Sequence, residues 1–213
     1  MTSLRKIRYA LWVLVGFAAA ASAILAWLLT AEEPRRGGVL MPGGPMAEGA
    51  EWTLTDEQGR PFRPADLTGR PTLVVFGFTH CPDVCPTSLS YVAGVLETLG
   101  SQADAMRPVF LTVDPERDTA EVMSGYTDLF DPRILGVTGA PDQVAAALKS
   151  LGAYARKVPQ DGGYTMDHTA TMLLLDAQGR FRSALDIHEN PEVAVEKVRR
   201  VLEDGNGDDA TGT

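Results

Sequence analysis

The run TLVVFGF, residues 72–78, is apolar almost throughout and rich in β-branched and aromatic side chains. Successive residues of a strand point to opposite faces, so such a strand has to be covered on both. That excludes a sheet with one wet face and directs the chain towards helices packed on both sides of a sheet. The residues downstream agree. Pro86 suits the first turn of a helix, where its missing N–H is not needed, and Leu89, Val92, Val95, Leu96 and Leu99 recur at helical spacing up to Gly100. RPVFLTVD, residues 107–114, reads as a second buried strand. Asp118 and Glu121 read as a capping box opening a helix through Phe130. ILGVTG is a short strand, residues 141–151 a helix starting at Pro141, and YARKV an extended segment. TMLLLDAQGRFRSAL has the pattern of a hairpin turning at Gly179, and PEVAVEKVRRVLED that of a closing amphipathic helix. Upstream, EWTLTDEQGRPFRP forms two short strands around Gly59. The expectation is one α/β domain with a central mixed sheet between helices. A length of 213 residues with 45% hydrophobic and 22% charged side chains suits one domain plus attachments.

The attachments are at the ends. Arg5, Lys6 and Arg8 precede residues 9–30, which carry no charge and have Trp12 and Trp27 near the two ends. About 20 apolar residues cross a bilayer as a helix, and a basic flank keeps the N-terminus inside. The expected organisation is a cytoplasmic flank at 1–8, a single transmembrane anchor at 9–30, and a Gly- and Pro-rich linker at 31–47. A folded domain at 48–203 and an acidic, disordered tail at 204–213 complete it. A cleaved signal peptide ending near Ala21-Ser22-Ala23 is the rival, but the apolar run continues from Ile24 to Leu29, longer than a removed signal needs. The net charge of −9 argues against a nucleic-acid partner.

The two cysteines, Cys81 and Cys85, lie in CPDVC between the strand and the following helix. Ligands gather at the carboxyl ends of strands in open α/β sheets, and a helix N-terminus favours thiolate. The pair reads as a local bridge, a metal site, or both at different times, since a disulfide offers no thiolate to a metal. Thioredoxins separate such a pair by two residues; the wider separation here favours the metal reading. Two thiolates suit Cu(I). His168, in TMDHTATMLLLD, is the candidate third ligand, with a hydrogen-bonded structural histidine as the plainer reading. His80 and His188 read as surface residues. A thiol-peroxidase loop would carry Thr where Phe78 stands, and a purely structural disulfide is the bland alternative.

FGFTHCPDVCPTSL, LTVDPERDT and DHTATMLLLD, in that order, resemble the Sco/SenC family over residues 48–203. These are membrane-tethered copper-handling factors associated with assembly of the copper site in cytochrome c oxidase. The resemblance implies a thioredoxin-like three-layer sandwich with added hairpins, and Cys81, Cys85 and His168 as ligands of Cu(I), with Cu(II) also served by the imidazole. Asp114 and Asp118 then lie near the site. The function implied is a copper chaperone, more a metallochaperone than an enzyme, delivering to the copper-bearing oxidase subunit. The alternative is a membrane-tethered thiol-disulfide oxidoreductase reducing the client's copper-site cysteines. Expected partners are that subunit, a copper donor protein, a thiol reductant and the bilayer. The start MTSLRKIRY makes a poor mitochondrial targeting peptide, so the expected location is a bacterial inner membrane with the soluble domain in the periplasm.

Overall fold

The structure, a computed structural model, describes residues 49–208 together with residues 12, 14, 16 and 47. Apart from those four residues, the anchor expected at 9–30 and the linker at 31–47 lie outside the described residues. Among the described residues no helix is long and apolar enough to cross a membrane. The chain divides into units 1–38 and 39–213, and the second carries everything that follows.

Strand β3 (Thr72–Gly77) is buried at every residue, as the apolar run requires, and leads into helix α1 (Val84–Leu99). The helix buries Leu89, Val92, Val95, Leu96 and Leu99 on one stripe and ends at Gly100, whose φ of 58° suits a residue without Cβ. Strand β4 (Arg107–Thr112) then pairs parallel to β3, with Val74 opposite Val109 and Gly77 opposite Thr112. Helix α2 (Ala120–Thr127) returns to β5 (Leu135–Thr138), parallel to β4 on its far side. Both crossovers step the same way across the sheet, so right-handed connections put α1 and α2 on one face. Side chains agree: Phe110 of β4 lies 5.8 Å from the Tyr126 ring of α2, and its ring also crowds Gly77 under α1.

Strands β1 (Leu54–Asp56) and β2 (Pro61–Phe62) extend the sheet antiparallel beyond β5. The expected late hairpin, β8 (Met172–Leu175) and β9 (Phe181–Leu185), adds antiparallel to β3. The seven-stranded order is β2-β1-β5-β4-β3-β8-β9, so the cysteine-bearing strand is interior. Burial of every residue of β3 and β8 shows cover on both faces. Each fully buried Leu, Val or Phe there contributes roughly 1.5–3 kcal/mol, so an Asp at Val74, which is 0% exposed, would break this centre. Helix α3 (Pro141–Ser150) is joined to the N-terminal segment by the Trp52 indole, which donates to Ser150 Oγ at 3.0 Å.

Two expectations are corrected and one is extended. Asp118 does not cap α2: Thr119 Oγ accepts from Val122 N–H, α2 ends at Thr127, and the Asp118 carboxylate turns inward, where buried donors need it. YARKV is extended as expected, and from Ala155 it belongs to a longer strand, β6 (Ala155–Gln160), which pairs with β7 (Gly163–His168) as a separate hairpin. The final helix, α4 (Pro191–Asp208), packs on α1 and runs over the first residues expected as tail, so only residues 209–213 of that tail lie outside the described residues.

Candidate metal centre

Beyond β3 the chain turns tightly, Cys81 N–H donating to the Phe78 carbonyl at 3.2 Å. The turn is tied down by one buried carboxylate. Asp118, 0% exposed, accepts from Thr79 Oγ at 2.6 Å, Thr79 N–H at 3.2 Å and Thr112 Oγ at 2.6 Å. Its own carbonyl accepts from Thr138 Oγ at 2.6 Å, so β4, β5 and the cysteine turn share one anchor. A second function for Thr112 Oγ is to accept Asp114 N–H at 2.9 Å.

Cys85 lies in the first turn of α1 and is 2% exposed, while Cys81 is half-buried; both are free thiols. Asp83, at the N-cap, makes no side-chain cap, and Cys81 Sγ accepts Cys85 N–H at 3.4 Å instead. Close packing beneath requires Gly77, where a Cβ would stand 2.5 Å from the Phe110 ring and 2.9 Å from Cys85 Sγ. Burial pushes the Cys85 thiol well above its ordinary range, only partly offset by the Phe78 backbone. The expected lowering of thiol pKa at a helix mouth is therefore overturned for Cys85, because its sulfur points into the protein rather than along the helix axis to water.

His168 comes from the last residue of β7, and its Nε2 stands 3.8 Å from Cys85 Sγ. Nδ1 lies 2.9 Å from the Thr169 carbonyl, which can only accept, so Nδ1 carries the proton and Nε2 presents a lone pair to the sulfur. Phe78 packs edge-on against the imidazole, centroids 5.8 Å apart. The hairpin reaches this position through Arg117. Its guanidinium lies 3.9 Å over the Tyr164 ring, donates to the Tyr164 carbonyl at 3.2 Å and forms an ion pair with Asp114. The Tyr164 hydroxyl in turn donates to Asp114 at 2.9 Å.

Of the expected ligands, the fold thus joins Cys85 and His168, with Cys81 adjoining them through the helix amide. Among the described residues no group of three or more His, Cys, Asp or Glu side chains is placed to hold a metal ion, and the Cys81 sulfur accepts the Cys85 amide. The donor set nevertheless fits a soft cation. Thiolate and imidazole arms of roughly 2.3 and 2.0 Å at 110–120° put S and N about 3.5–3.7 Å apart, close to the 3.8 Å observed. His80 is exposed, its Nδ1 3.1 Å from Thr79 Oγ, and His188 is exposed in the turn before α4, as expected of surface residues. Thr79, Thr112, Arg117, Tyr126 and Tyr164 were not singled out from sequence. Tyr126 has a buried hydroxyl without a partner among the described residues, and burial followed by the charges of Cys85 and Cys81 pushes its pKa up.

The model of the SCO1/SenC family matches residues 42–203. The chain belongs to the SCO1/SenC family. The mouse "Protein SCO2 homolog, mitochondrial" is 39% identical over 154 residues, covering 70% of this chain and 60% of the mouse protein, so the chain spans about three fifths of that relative. The copper-bound structure of Bradyrhizobium japonicum ScoI superposes with a TM-score of 0.67 at 44% identity, covering 76% of this chain and 99% of the other. A second structure, BsSco, is described as having a disulfide switch and as a member of the Sco family of cytochrome c oxidase assembly proteins. It matches with a TM-score of 0.60 over 78% of this chain and 98% of its own, and at 20% identity it shows the fold alone. The SCO1/SenC chain thus has the thioredoxin-like α/β fold of the Sco proteins, built on a mixed central sheet.

Proposed function

We propose that this chain is a copper chaperone for respiratory oxidase assembly, binding one copper ion through Cys81, Cys85 and His168 and passing it to the copper-bearing subunit of cytochrome c oxidase. The observation that carries the reading is His168 Nε2 standing 3.8 Å from Cys85 Sγ, with Nδ1 of the ring 2.9 Å from the Thr169 carbonyl. The copper found in the 44% identical ScoI supports the identity of the cargo. Loading requires both thiols to lose their protons and Cys81 Sγ to turn from the Cys85 amide to the ion. Three ligands leave one side open, through which a client's thiolates or imidazoles approach and take the ion in steps. Cu(I) suits the sulfur pair and Cu(II) is also served by the imidazole. Joining Cys81 and Cys85 releases two electrons and two protons to an oxidant and removes both thiolates, so a disulfide state is empty of copper. The charge-free run at 9–30 would anchor the domain to a bacterial inner membrane, on the periplasmic side, and raise its effective concentration near a membrane-bound client.

A second reading, a thiol-disulfide oxidoreductase acting on the client's cysteines, is favoured by one feature. Cys81 is half-exposed while Cys85 is buried four residues later, an arrangement in which the outer thiol attacks and the inner one resolves. Copper titration of the reduced chain separates the two. His168→Ala should lower copper affinity at least tenfold and leave disulfide exchange intact. Unchanged affinity and stoichiometry in that variant would remove His168 from the ligand set and favour the oxidoreductase.

A further inference from the structure

The three parallel strands β3, β4 and β5 begin side by side at the end of the sheet opposite the cysteines, and each is entered past an arginine: Arg70, Arg107 and Arg133. Between these starts lies a cavity of about 600 Å³, walled by these three, Arg60 and the apolar side chains of Phe62 and Leu135. Two of the arginines are engaged: Arg60 with Asp56 at 2.7 Å and Arg133 with Asp131 through two bonds at 2.6 and 2.9 Å. Arg70 and Arg107 have no ion pair among the described residues, and Arg107 Nη1 is buried without a hydrogen-bond partner. Partial burial of Arg107, then the charge of the neighbouring exposed Arg70, press the Arg107 guanidinium towards losing its proton, with Asp66 opposing. The acids on the wall do not meet that demand. Asp56 accepts from Arg60 and from the Gln58 and Arg60 amides, and Asp66, within electrostatic reach of Arg107, has its Oδ2 taken by Arg63 N–H at 2.7 Å. The third acid of the lining, Asp104, lies within electrostatic reach of Arg133 and, among the described residues, forms no ion pair with Arg107 or Arg70.

A buried guanidinium edge with no acceptor, beside a second free guanidinium, is the donor arrangement that planar or tetrahedral oxyanions satisfy with paired bonds. The cavity is far larger than a bare inorganic ion and has an apolar wall, which fits an anion attached to a short carbon body. We propose that this cavity binds a small organic phosphate ester, its phosphate between Arg70 and Arg107 and its carbon part against Phe62 and Leu135. The ester could be a soluble molecule or the headgroup of an anionic phospholipid, and the two sources are separable. The site stands at the far end of the sheet from Cys85 and does not depend on the copper reading.

The test uses the full chain in a neutral detergent, following the side-chain Nε–H resonances of arginine by NMR. Glycerol 3-phosphate is titrated first, then micelles doped with phosphatidylglycerol, with phosphatidylcholine as control. Saturable shifts of Arg70 and Arg107 with glycerol 3-phosphate support a soluble ester; shifts with phosphatidylglycerol alone support a headgroup. Arg107→Gln should weaken binding at least tenfold. Because Arg107 opens a central strand, the exposed Arg70→Gln is made as well, and the dispersion of the backbone amide spectrum reports on folding of both. No saturable shift with either probe, or affinities unchanged in both variants, overturns the proposal.

Discussion

Cys85 is the residue where burial and chemistry conflict. In the folded, metal-free chain desolvation keeps its proton on, whereas in the unfolded chain the thiol ionises near its ordinary 9.0. The folded state therefore holds a proton that the unfolded state releases above that value. Stability contributed by the buried neutral thiol is complete below about pH 9 and is lost as pH rises further. In the proposed site copper binds the Cys85 thiolate, so loading expels this proton and competes with it at neutral pH. Apparent copper affinity should rise about tenfold per pH unit for each proton displaced. Competitive titration between pH 6 and 8 measures the slope, and a flat profile would show that Cys85 does not bind as thiolate. The same burial explains why a helix-mouth argument, sound for an exposed sulfur, misjudged this one: sequence spacing places a thiol at the first turn but does not say which way it points.

The β6–β7 hairpin is the element on which the site depends, because it stands outside the main sheet and yet supplies His168. Its attachment runs through Arg117, stacked on Tyr164 and paired with an Asp114 whose side chain is 1% exposed. Arg117→Met keeps an apolar stem while removing the guanidinium, leaving the Asp114 carboxylate with the Tyr164 hydroxyl alone among the described residues. Loss of one partner from a buried pair is costly, and partial exposure of Arg117 reduces that to about 1–3 kcal/mol. The expected result is faster amide exchange across β6 and β7 together with at least tenfold weaker copper binding, although no ligand has been altered. Slow exchange with normal affinity would mean that the hairpin is held by other contacts. A sign of this hairpin was available in the sequence: Asp161-Gly162-Gly163 between two stretches able to extend, with Gly162 at φ 85°. YARKV alone was too short to show it.

At the scale of the molecule, the sheet separates two tasks. Its carboxyl-end turn carries the cysteines, and its amino end carries the arginine cavity. Division of the chain at residue 38 predicts that a protein beginning at Val39 keeps the proposed copper site whole. In solution it should bind copper with the stoichiometry of the full chain, measured by absorption and metal analysis. In cells it should fail to support oxidase assembly, because the proposed anchor is gone and the effective concentration at the client falls. Full oxidase activity from that shortened form would show that tethering is dispensable.

Local chemistry was enough to read the α/β class, the burial of β3, the start of α1 near Pro86 and the two sulfurs at the strand-to-helix turn. Those features follow from periodicity, backbone restriction and residues close in the chain. Pairing His168 with Cys85 could not follow in that way, since 83 residues separate them and the approach passes through a hairpin pinned by Arg117. Asp118 makes the same point: its sequence neighbours suggest a helix cap, but the buried hydroxyls of Thr79 and Thr112 claim the carboxylate. Only folding brings such donors and acceptors together, and a buried polar group takes the partner that tertiary packing leaves within reach rather than the one nearest along the chain.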